Sequence, residues 1–267
     1  MNNYFRFQQF TIRQDRCAMK VGTDGTLLGA WASLPSPLPK ERERLNAQPS
    51  SPPTEGGRGE TFILDVGTGT GLIALMMAQR FPEAQVTGID IDADAVSQAQ
   101  ENVAASPFAD RITILQSDFS KLSSSSYILR NSFSAIVCNP PFFTQSLRCP
   151  DGRRTTARHD ETLSYRTLTD GARHLLSDNG ELSVIIPVDQ RKRMDNEAAL
   201  AGLFCSRICL VRTSPHKDPK RCLLAYRKHP AHQQTGELTL GSVEYKELTN
   251  DFYLAPLTVS HECESPK

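Results

Sequence analysis

The sequence predicts an α/β fold in which helices cover both faces of a mostly parallel sheet. Apolar segments of strand length alternate with segments of helical periodicity from residue 61 onward. A glycine-rich turn separates the first of these strands from the first helix, and the last two strand-like segments are joined by a short turn-rich stretch. The alternation is typical of a doubly wound parallel sheet, and the short final connection predicts an antiparallel hairpin at one end of it.

The first 60 residues precede this alternation and form two parts. In residues 1–32, which we interpret as an N-terminal arm, Phe5, Phe7 and Ile12 alternate with polar residues as in a short strand or hairpin, and TDGTLLGAWA predicts a short helix. Residues 33–60 combine Pro, Ser, Gly and charged residues with almost no large apolar side chain, so burial cannot offset the entropy of ordering them. We therefore predict a disordered insertion there.

The main domain is expected to cover residues 61–230. Strands are predicted, in order, at TFILDV, AQVTGID, RITILQSD, FSAIVCN, GELSVIIP, CSRICLVRT and RCLLAYRK. Helices are predicted to open at Gly71, after Ile91 and around Tyr165. Residues 231–267 are expected to form a C-terminal extension that packs on this domain.

Composition excludes several classes of protein. The 30 acidic and 30 basic residues balance, although residues 145–230 carry 16 Lys and Arg against 10 Asp and Glu. The seven cysteines include no C-x-x-C pair and are odd in number, which indicates a reducing cytoplasm, and we expect neither disulfides nor a metal site. No apolar run approaches the roughly 18 residues of a membrane span, so we expect a soluble, cytoplasmic protein with no membrane partner.

The turn DVGTGTG gives the first indication of a ligand site. Gly67, Gly69 and Gly71 allow positive φ and let a ligand approach the main chain at the start of a helix. Their spacing departs from the G-x-G-x-x-G of dinucleotide enzymes, because the residue three after Gly69 is Leu72. A pyrophosphate therefore fits this loop poorly, whereas Asp65, just before the glycines, suits the ammonium group of an amino-acid-like cofactor.

Two further aspartates follow the next two strands. Asp90 lies nineteen positions after Gly71, close to where a carboxylate binds ribose in such units, and Asp118 is placed to meet an adenine edge. Each alone has a simpler explanation, since aspartate commonly caps the helix that follows a strand, as we expect for Asp92. Because open α/β sheets bind ligands at the ends of successive strands, the series favours a cofactor site.

The motifs LDVGTGTG, GIDID, QSDF and NPPF, in this order, resemble those of the class I S-adenosylmethionine-dependent methyltransferases. The resemblance implies a Rossmann-like, seven-stranded sheet, S-adenosylmethionine as cofactor and no metal. NPPF, residues 139–142, is similar to the motif of enzymes that methylate exocyclic or amide nitrogens.

The chemistry of an exocyclic amine explains why such a motif is useful. This amine is a poor nucleophile because its lone pair is delocalised into the purine ring. The side-chain oxygen of Asn139 and the carbonyl of Pro140 are placed to accept hydrogen bonds from its two N–H groups. Pro140 and Pro141 hold these acceptors rigidly. Phe142 would stack on the base, which offsets roughly 1–3 kcal/mol of the stacking lost when a base is turned out of RNA. The alternative is a strand end with a proline turn and phenylalanines packed in the core.

Further segments resemble the bacterial tRNA1(Val) adenine-N6-methyltransferases over nearly the whole chain, residues 33–60 excepted. They are FRFQQFTIRQDRCAMKVGTDGTLLGAWA, ARHDETLSY and DFYLAP. The resemblance implies methylation of N6 of adenine 37, next to the anticodon, in a valine tRNA. It also implies that Lys20, Gly22 and Thr23 lie beside the methionine end of the cofactor. Alternatively, this loop only precedes a helix that Asp24 caps.

Basic residues follow the NPPF turn directly, in RCPDGRRTTARHD. Four arginines there are placed to contact the phosphates that flank a flipped base: Arg148, Arg153, Arg154 and Arg158. A solvated basic loop is the alternative interpretation for each of them.

Two other functions remain open. The same chemistry fits an rRNA adenine or the glutamine amide of a protein such as a release factor, although amide-methylating enzymes typically have Tyr where this chain has Phe142. A non-catalytic RNA-binding scaffold is the second alternative. Nothing in the sequence indicates an obligate protein partner.

Overall fold

The computed structural model describes residues 3–17, 20–34, 61–125, 132–141 and 163–254. Most of the predicted insertion at residues 33–60 lies outside these ranges. The described residues form two sheets with helices packed on them. The strands are β1 (Tyr4–Arg6), β2 (Thr11–Arg13), β3 (Thr61–Val66), β4 (Ala84–Asp90), β5 (Ile112–Gln116), β6 (Phe133–Cys138), β7 (Leu176–Pro187), β8 (Phe204–Arg212), β9 (Arg221–Arg227) and β10 (Gln234–Thr239).

The larger sheet confirms the predicted architecture. Its strand order is β10-β8-β9-β7-β6-β3-β4-β5. Strands β5, β4, β3, β6 and β7 pair in parallel, whereas β9 runs antiparallel to both of its neighbours, β7 and β8. The last two predicted strands thus form the expected hairpin. Strands β1 and β2 form the separate antiparallel hairpin predicted for the arm.

The predicted number of seven strands was wrong, because the sheet of the described residues has eight. The additional strand, β10, pairs in parallel with β8 at the edge of the sheet. Its first four residues are exposed, so main-chain pairing with β8 determines its position. For the same reason its sequence shows no apolar alternation that would predict a strand.

Helices cover both faces of this sheet. They are α1 (Thr23–Trp31), α2 (Leu72–Arg80), α3 (Ala93–Ala104), α4 (Phe119–Ser125), α5 (Tyr165–Leu175), α6 (Arg191–Leu200) and α7 (Val243–Thr249). Successive residues of β6 contribute to different cores: Ala135 and Val137 pack with α1, α2 and α3, whereas Ile136 and Cys138 pack with α5 and α6. Of the helices described here, none is long and apolar enough to cross a lipid bilayer.

Helix α1 packs closely on α2 through two glycines one turn apart. A Cβ atom at Gly25 would lie 3.2 Å from Leu72 Cδ2, and one at Gly29 would lie 2.9 Å from Met76 Cβ and 2.7 Å from its sulfur. The side chain of Met76 is fully buried. The contact therefore requires glycine at position 29 and fixes α1, with the loop that precedes it, against the glycine-turn helix.

We expect Gly29→Ala to lower the free energy of unfolding by about 1–3 kcal/mol, because the added methyl group overpacks the contact with Met76. At an exposed helix position the same substitution would raise the free energy of unfolding, since alanine is normally a better helix former than glycine by about 1 kcal/mol. Urea denaturation of this variant should be compared with that of Gly236→Ala, a glycine with no atom within 4 Å of an added Cβ. Equal stability of the two variants would contradict the close packing.

Candidate active site

The predicted motifs meet at the carboxyl ends of three adjacent parallel strands. In the sheet, β3 lies between β6 and β4, and Val66 is paired with both Cys138 and Ile89. The glycine turn, Asp90 and Asn139 therefore lie at the same level, along the same edge of the sheet. Open α/β sheets bind their ligands at this edge.

The glycine turn adopts the backbone conformation that its composition predicts. Gly67, Gly69 and Gly71 have φ of +71°, +55° and +80°, in the left-handed region that favours glycine. The amide of Gly67 donates to the carbonyl of Ile89 at 2.9 Å, which ties the turn to β4. A Cβ atom at Gly67 would meet nothing within 4 Å, whereas one at Gly71 would lie 3.3 Å from Ala99 Cβ. The turn is thus packed at its end and open at its start, where a ligand has room to approach.

Asp65 is fully buried beneath the turn. Its Oδ2 accepts hydrogen bonds from Thr68 Oγ1 at 2.7 Å and from the amide of Ala74 at 3.1 Å, so it shapes the turn and the start of α2. Its Oδ1 is buried and has no hydrogen-bond partner among the described residues. Burial raises the pKa of this carboxyl to about 7, against the hydrogen bonds from Thr68 and Ala74, which lower it. A cation that reaches Oδ1 would satisfy an acceptor that the protein leaves unsatisfied.

Asp90 and Asp118 accept hydrogen bonds within their own loops and can still accept hydrogen bonds from a ligand. Asp90 Oδ2 accepts from the amide of Gly69 at 2.9 Å, and Oδ1 accepts from the amide of Asp92 at 3.1 Å. Asp118 Oδ1 accepts from the amide and the hydroxyl of Ser120 at 2.9 and 2.7 Å, and the hydroxyl contact is the main reason that the pKa of Asp118 is lowered. Each carboxylate oxygen has more than one lone pair, so these bonds leave room for ligand hydroxyl or amino groups.

Asp92 has the simpler role predicted for it. Its side chain accepts from the amide of Asp94 at 2.9 Å and caps α3. Between Asp90 and Asp92 lies Ile91, a large apolar side chain that is 54% exposed. Its exposure at the ligand-binding edge gives the site an apolar surface that sequence reasoning missed, because GIDID does not show which way this side chain points.

The NPPF turn, which carries the predicted catalytic residues and is called the catalytic turn below, begins where β6 ends. Asn139 is partly buried, Pro140 is buried and Pro141 is exposed. Within the described ranges, the side-chain oxygen of Asn139 is buried and accepts no hydrogen bond. A buried acceptor without a donor costs about 1–3 kcal/mol, so this oxygen is a candidate acceptor for a donor that a ligand would supply. Phe142 and the four predicted RNA-binding arginines lie outside the described residues.

Two side chains of α3, missed by sequence reasoning, attach the arm to the glycine turn. Asn102 Nδ2 donates to the carbonyls of Thr70 and Arg13, both at 2.9 Å, and its Oδ1 accepts from the amide of Arg13 at 2.8 Å. One turn earlier, Gln98 Oε1 accepts from the amide of Arg16 at 3.1 Å. Both side chains are buried. The only available signal in the sequence was the spacing of two polar residues four positions apart on α3. The segment QAQEN does not show that these side chains are buried.

The arm then passes the glycine turn at close range. Cys17 Sγ lies 3.8 Å from the position of a Cβ atom at Gly69. The buried Gln14 accepts from the amide of Val21 at 2.8 Å through Oε1 and so closes the loop that leads to α1. The arm therefore reaches the edge of the candidate cofactor site.

The loop before α1 carries the remaining predicted cofactor residues. Lys20, Gly22 and Thr23 are exposed, and the N-cap of α1 is Gly22. The alternative role of Asp24 as helix cap was wrong. Its carboxylate instead accepts from Arg221 Nε at 2.8 Å, a contact between positions 197 residues apart that no local pattern predicts.

No cluster of three or more His, Cys, Asp or Glu side chains suited to a metal ion occurs in the described part of the chain. The candidate site consists of carboxylates, an amide oxygen, main-chain amides and an apolar surface. This set fits a cofactor that carries an ammonium group and a nucleoside, because Asp65 Oδ1 offers an unsatisfied acceptor and Gly67 an open approach.

Comparison with known proteins also relates this chain to methyltransferases. The family model described as the methyltransferase small domain matches residues 58–213. A tRNA1(Val) (adenine(37)-N6)-methyltransferase of Porphyromonas gingivalis is 45% identical over 262 residues, which cover 93% of this chain and 94% of that protein. The enzyme of the same name from Bacteroides thetaiotaomicron is 41% identical over 260 residues, covering 95% and 98%.

A solved structure shows the same fold. The crystal structure of a predicted O-methyltransferase from Agrobacterium tumefaciens superposes with a TM-score of 0.57 at 18% identity and covers 88% of this chain and all of that one. At this identity the likeness concerns the fold alone. The chain thus shares the fold of that solved structure.

Proposed function

The chain belongs to the tRNA1(Val) (adenine(37)-N6)-methyltransferase family, and we propose that it methylates the exocyclic N6 of adenine 37 in tRNA1(Val). The observation that carries the proposal is the side-chain oxygen of Asn139, a buried acceptor with no donor in the described structure, at the sheet edge that also holds the glycine turn. An amino group in the substrate would supply the donor.

The methyl donor is S-adenosylmethionine, which supplies an electrophilic methyl group when it is bound. Asp65 Oδ1 would accept from its ammonium group, and Asp90 would accept from its ribose hydroxyls. Ile91 would pack on its adenine, and Asp118 would accept from the adenine amine. The exposed loop that contains Lys20, Gly22 and Thr23 is assigned to the methionine end, because the arm that leads into it passes the glycine turn.

The residues of the catalytic turn act on the substrate amine. Asn139 Oδ1 and the carbonyl of Pro140 accept hydrogen bonds from its two N–H groups. These bonds orient the nitrogen lone pair toward the incoming methyl group. Pro140 and Pro141 lack amide hydrogens and restrict φ, so these acceptors do not have to reorganise during the reaction. Phe142 is assigned to the face of the base. No strong general base is required, since the methylated amine loses its proton readily to water.

Methyl transfer from labelled S-adenosylmethionine to unmodified tRNA1(Val), followed by nucleoside mass spectrometry, tests the proposal. The matched control is the same transcript with guanine at position 37. We expect N6-methyladenosine only in the transcript with adenine 37. Label in rRNA or in a release factor assayed in parallel would retain the chemistry and change the substrate. No label in any of them, despite cofactor binding, would favour a non-catalytic scaffold.

Asp90→Ala should weaken S-adenosylmethionine binding by about tenfold to a hundredfold, because hydrogen bonds to a charged group contribute about 1.5–3 kcal/mol. Isothermal titration calorimetry measures this change directly. Asp92→Ala is the matched control, since this neighbouring carboxylate caps α3 and is not assigned to the cofactor. Wild-type affinity in Asp90→Ala would remove this residue from the site.

The proposal also includes a cytoplasmic location, where tRNA is modified. It names no obligate protein partner.

A further inference from the structure

We propose that four cations at the carboxyl edge of the sheet bind the phosphate backbone of the RNA next to the catalytic turn. They are Lys192 and Arg193 in the first turn of α6 and Lys217 and Lys220 in the β8–β9 connection, and together they are called the basic edge. This inference rests on the proposed function, since it names a contact surface for the same substrate.

The register of the sheet places the basic edge at the level of the catalytic turn. Cys138, the last residue of β6, pairs with Val184 of the neighbouring β7, which continues for three further residues to Pro187. A single 3₁₀ turn, Val188–Gln190, then leads into α6. The amide of Val188 donates to the carbonyl of Lys220 at 3.2 Å, which joins the β8–β9 connection to the segment that leads into α6. The two parts of the basic edge therefore lie together at the carboxyl end of β7, the strand next to the one that Asn139 follows.

The charges of this surface are available for a ligand. All four cations of the basic edge are exposed, and none takes part in the ion pairs of the described residues. Two neighbouring carboxylates are already engaged: Asp24 with Arg221, and Asp195 with both Arg191 and Tyr226.

The other acidic residues of the two segments that carry the basic edge, 188–193 and 213–220, are Asp189 and Asp218. Two carboxylates do not neutralise four cations, so the surface remains positive. An excess of exposed cations along one edge attracts a polyanion and gives binding that depends strongly on salt.

Arg193 is positioned by an aromatic ring. Its guanidinium carbon lies 5.7 Å from the ring centroid of Tyr165, the first residue of α5. Tyr165 is half-buried, and burial raises the pKa of its hydroxyl to about 12, so the ring stays neutral under Arg193. The cation–π contact orients the guanidinium, which makes no ion pair with another described residue, so its N–H groups can bind phosphate in a bidentate manner.

The chemistry of the basic edge favours RNA over a protein partner. The centre of a protein interface is normally apolar and aromatic, with few charged residues. The exposed apolar side chains Leu200 and Phe204 lie instead at the other end of α6 and at the start of β8. An edge of lysines and one oriented arginine, next to a pocket for a flipped base, matches the phosphates on either side of that base.

Two double variants test the basic edge: Lys217→Ala/Lys220→Ala and Lys192→Ala/Arg193→Ala. Binding to unmodified tRNA1(Val) is measured at several salt concentrations, together with steady-state methylation. We expect Kd to rise about fivefold to tenfold in each variant, and the slope of log K against log salt to fall by about 0.7–0.9 for each phosphate contact removed. The KM for tRNA should rise while kcat changes little.

Two further variants control for fold and for total charge. Lys217→Arg/Lys220→Arg keeps the charges and should restore binding. Arg6→Ala/Arg173→Ala removes two charges outside the basic edge. Arg6 is an exposed residue of the arm hairpin, and Arg173 lies in the last turn of α5, which leads into the amino end of β7. This control should retain at least most of the wild-type salt dependence.

The outcomes separate this inference from the proposed function. If the wild type methylates adenine 37 and both test variants keep its Kd and salt slope, the basic edge is wrong and the proposed function stands. If the wild type binds tRNA without methylating it, and the test variants lose salt dependence, the basic edge is supported and the proposed function is overturned. Protein-bound label that is insensitive to all four substitutions would overturn both.

Discussion

Asn139→Ala should lower kcat by at least about 10²–10³-fold and leave the affinity for S-adenosylmethionine within about twofold of the wild type. The substitution removes one of the two acceptors that orient the substrate amine, and the loss of one preorganised hydrogen-bonding group of an active site typically has an effect of this size. Cofactor affinity should be retained because the groups assigned to the cofactor lie in or after β3, β4 and β5 and in the loop that leads into α1, whereas Asn139 follows β6. Single-turnover methylation and calorimetry measure the two quantities separately.

Stability provides a second criterion for the same variant. In the described structure the buried oxygen of Asn139 has no hydrogen-bond partner, so its removal should leave the free energy of unfolding unchanged or raise it. Loss of activity together with equal or higher stability would identify a functional group and exclude general damage to the fold. Asn196→Ala, an exposed asparagine on α6, is the matched control and should change neither quantity. Full activity in Asn139→Ala would refute the assigned mechanism.

The sequence was sufficient for the parts of the site that depend on local pattern. The glycine turn could be predicted because a strand, three glycines and a helix follow one another within a few residues, and glycine is needed where φ is positive. The cap at Asp92 and the position of Asn139 after β6 depend on equally short segments. In each case the interaction that determines the structure is encoded within one turn of chain.

The parts that could not be predicted depend on contacts between distant positions. Asn102 holds Arg13 across 89 positions, and Asp24 pairs with Arg221 across 197. These residues are polar and occur in polar surroundings, so the sequence gives no sign that they are buried or paired. Strand β10 was missed for a related reason, because an edge strand with exposed side chains is specified by its neighbour.

The largest change in stability is expected for Glu181→Ala. Glu181, in β7, is fully buried and accepts from Arg207 Nη2 at 2.6 Å and from Arg227 Nε at 2.9 Å. The guanidinium of Arg207 also lies 3.9 Å from the ring centroid of Trp31, at the end of α1. Removal of the carboxylate leaves two largely covered guanidinium groups without their common counter-charge, which costs about 3–5 kcal/mol when one partner of a buried ion pair is removed.

Urea denaturation of Glu181→Ala should therefore show a much lower midpoint than Glu237→Ala, which removes the partner of Arg212 in an ion pair where Glu237 is 57% exposed. Exposed pairs contribute only about 0–1 kcal/mol, so similar midpoints in the two variants would contradict the role given to Glu181. Ser33, the residue that follows the arm, donates to Glu181 at 3.3 Å, so the carboxylate also attaches this part of the chain to the sheet. Glu181→Ala should then resemble wild type in kcat at a temperature where it is folded, whereas Asn139→Ala keeps its stability and loses kcat. This opposite pairing of effects separates the residue that organises the fold from the residue that acts on the substrate.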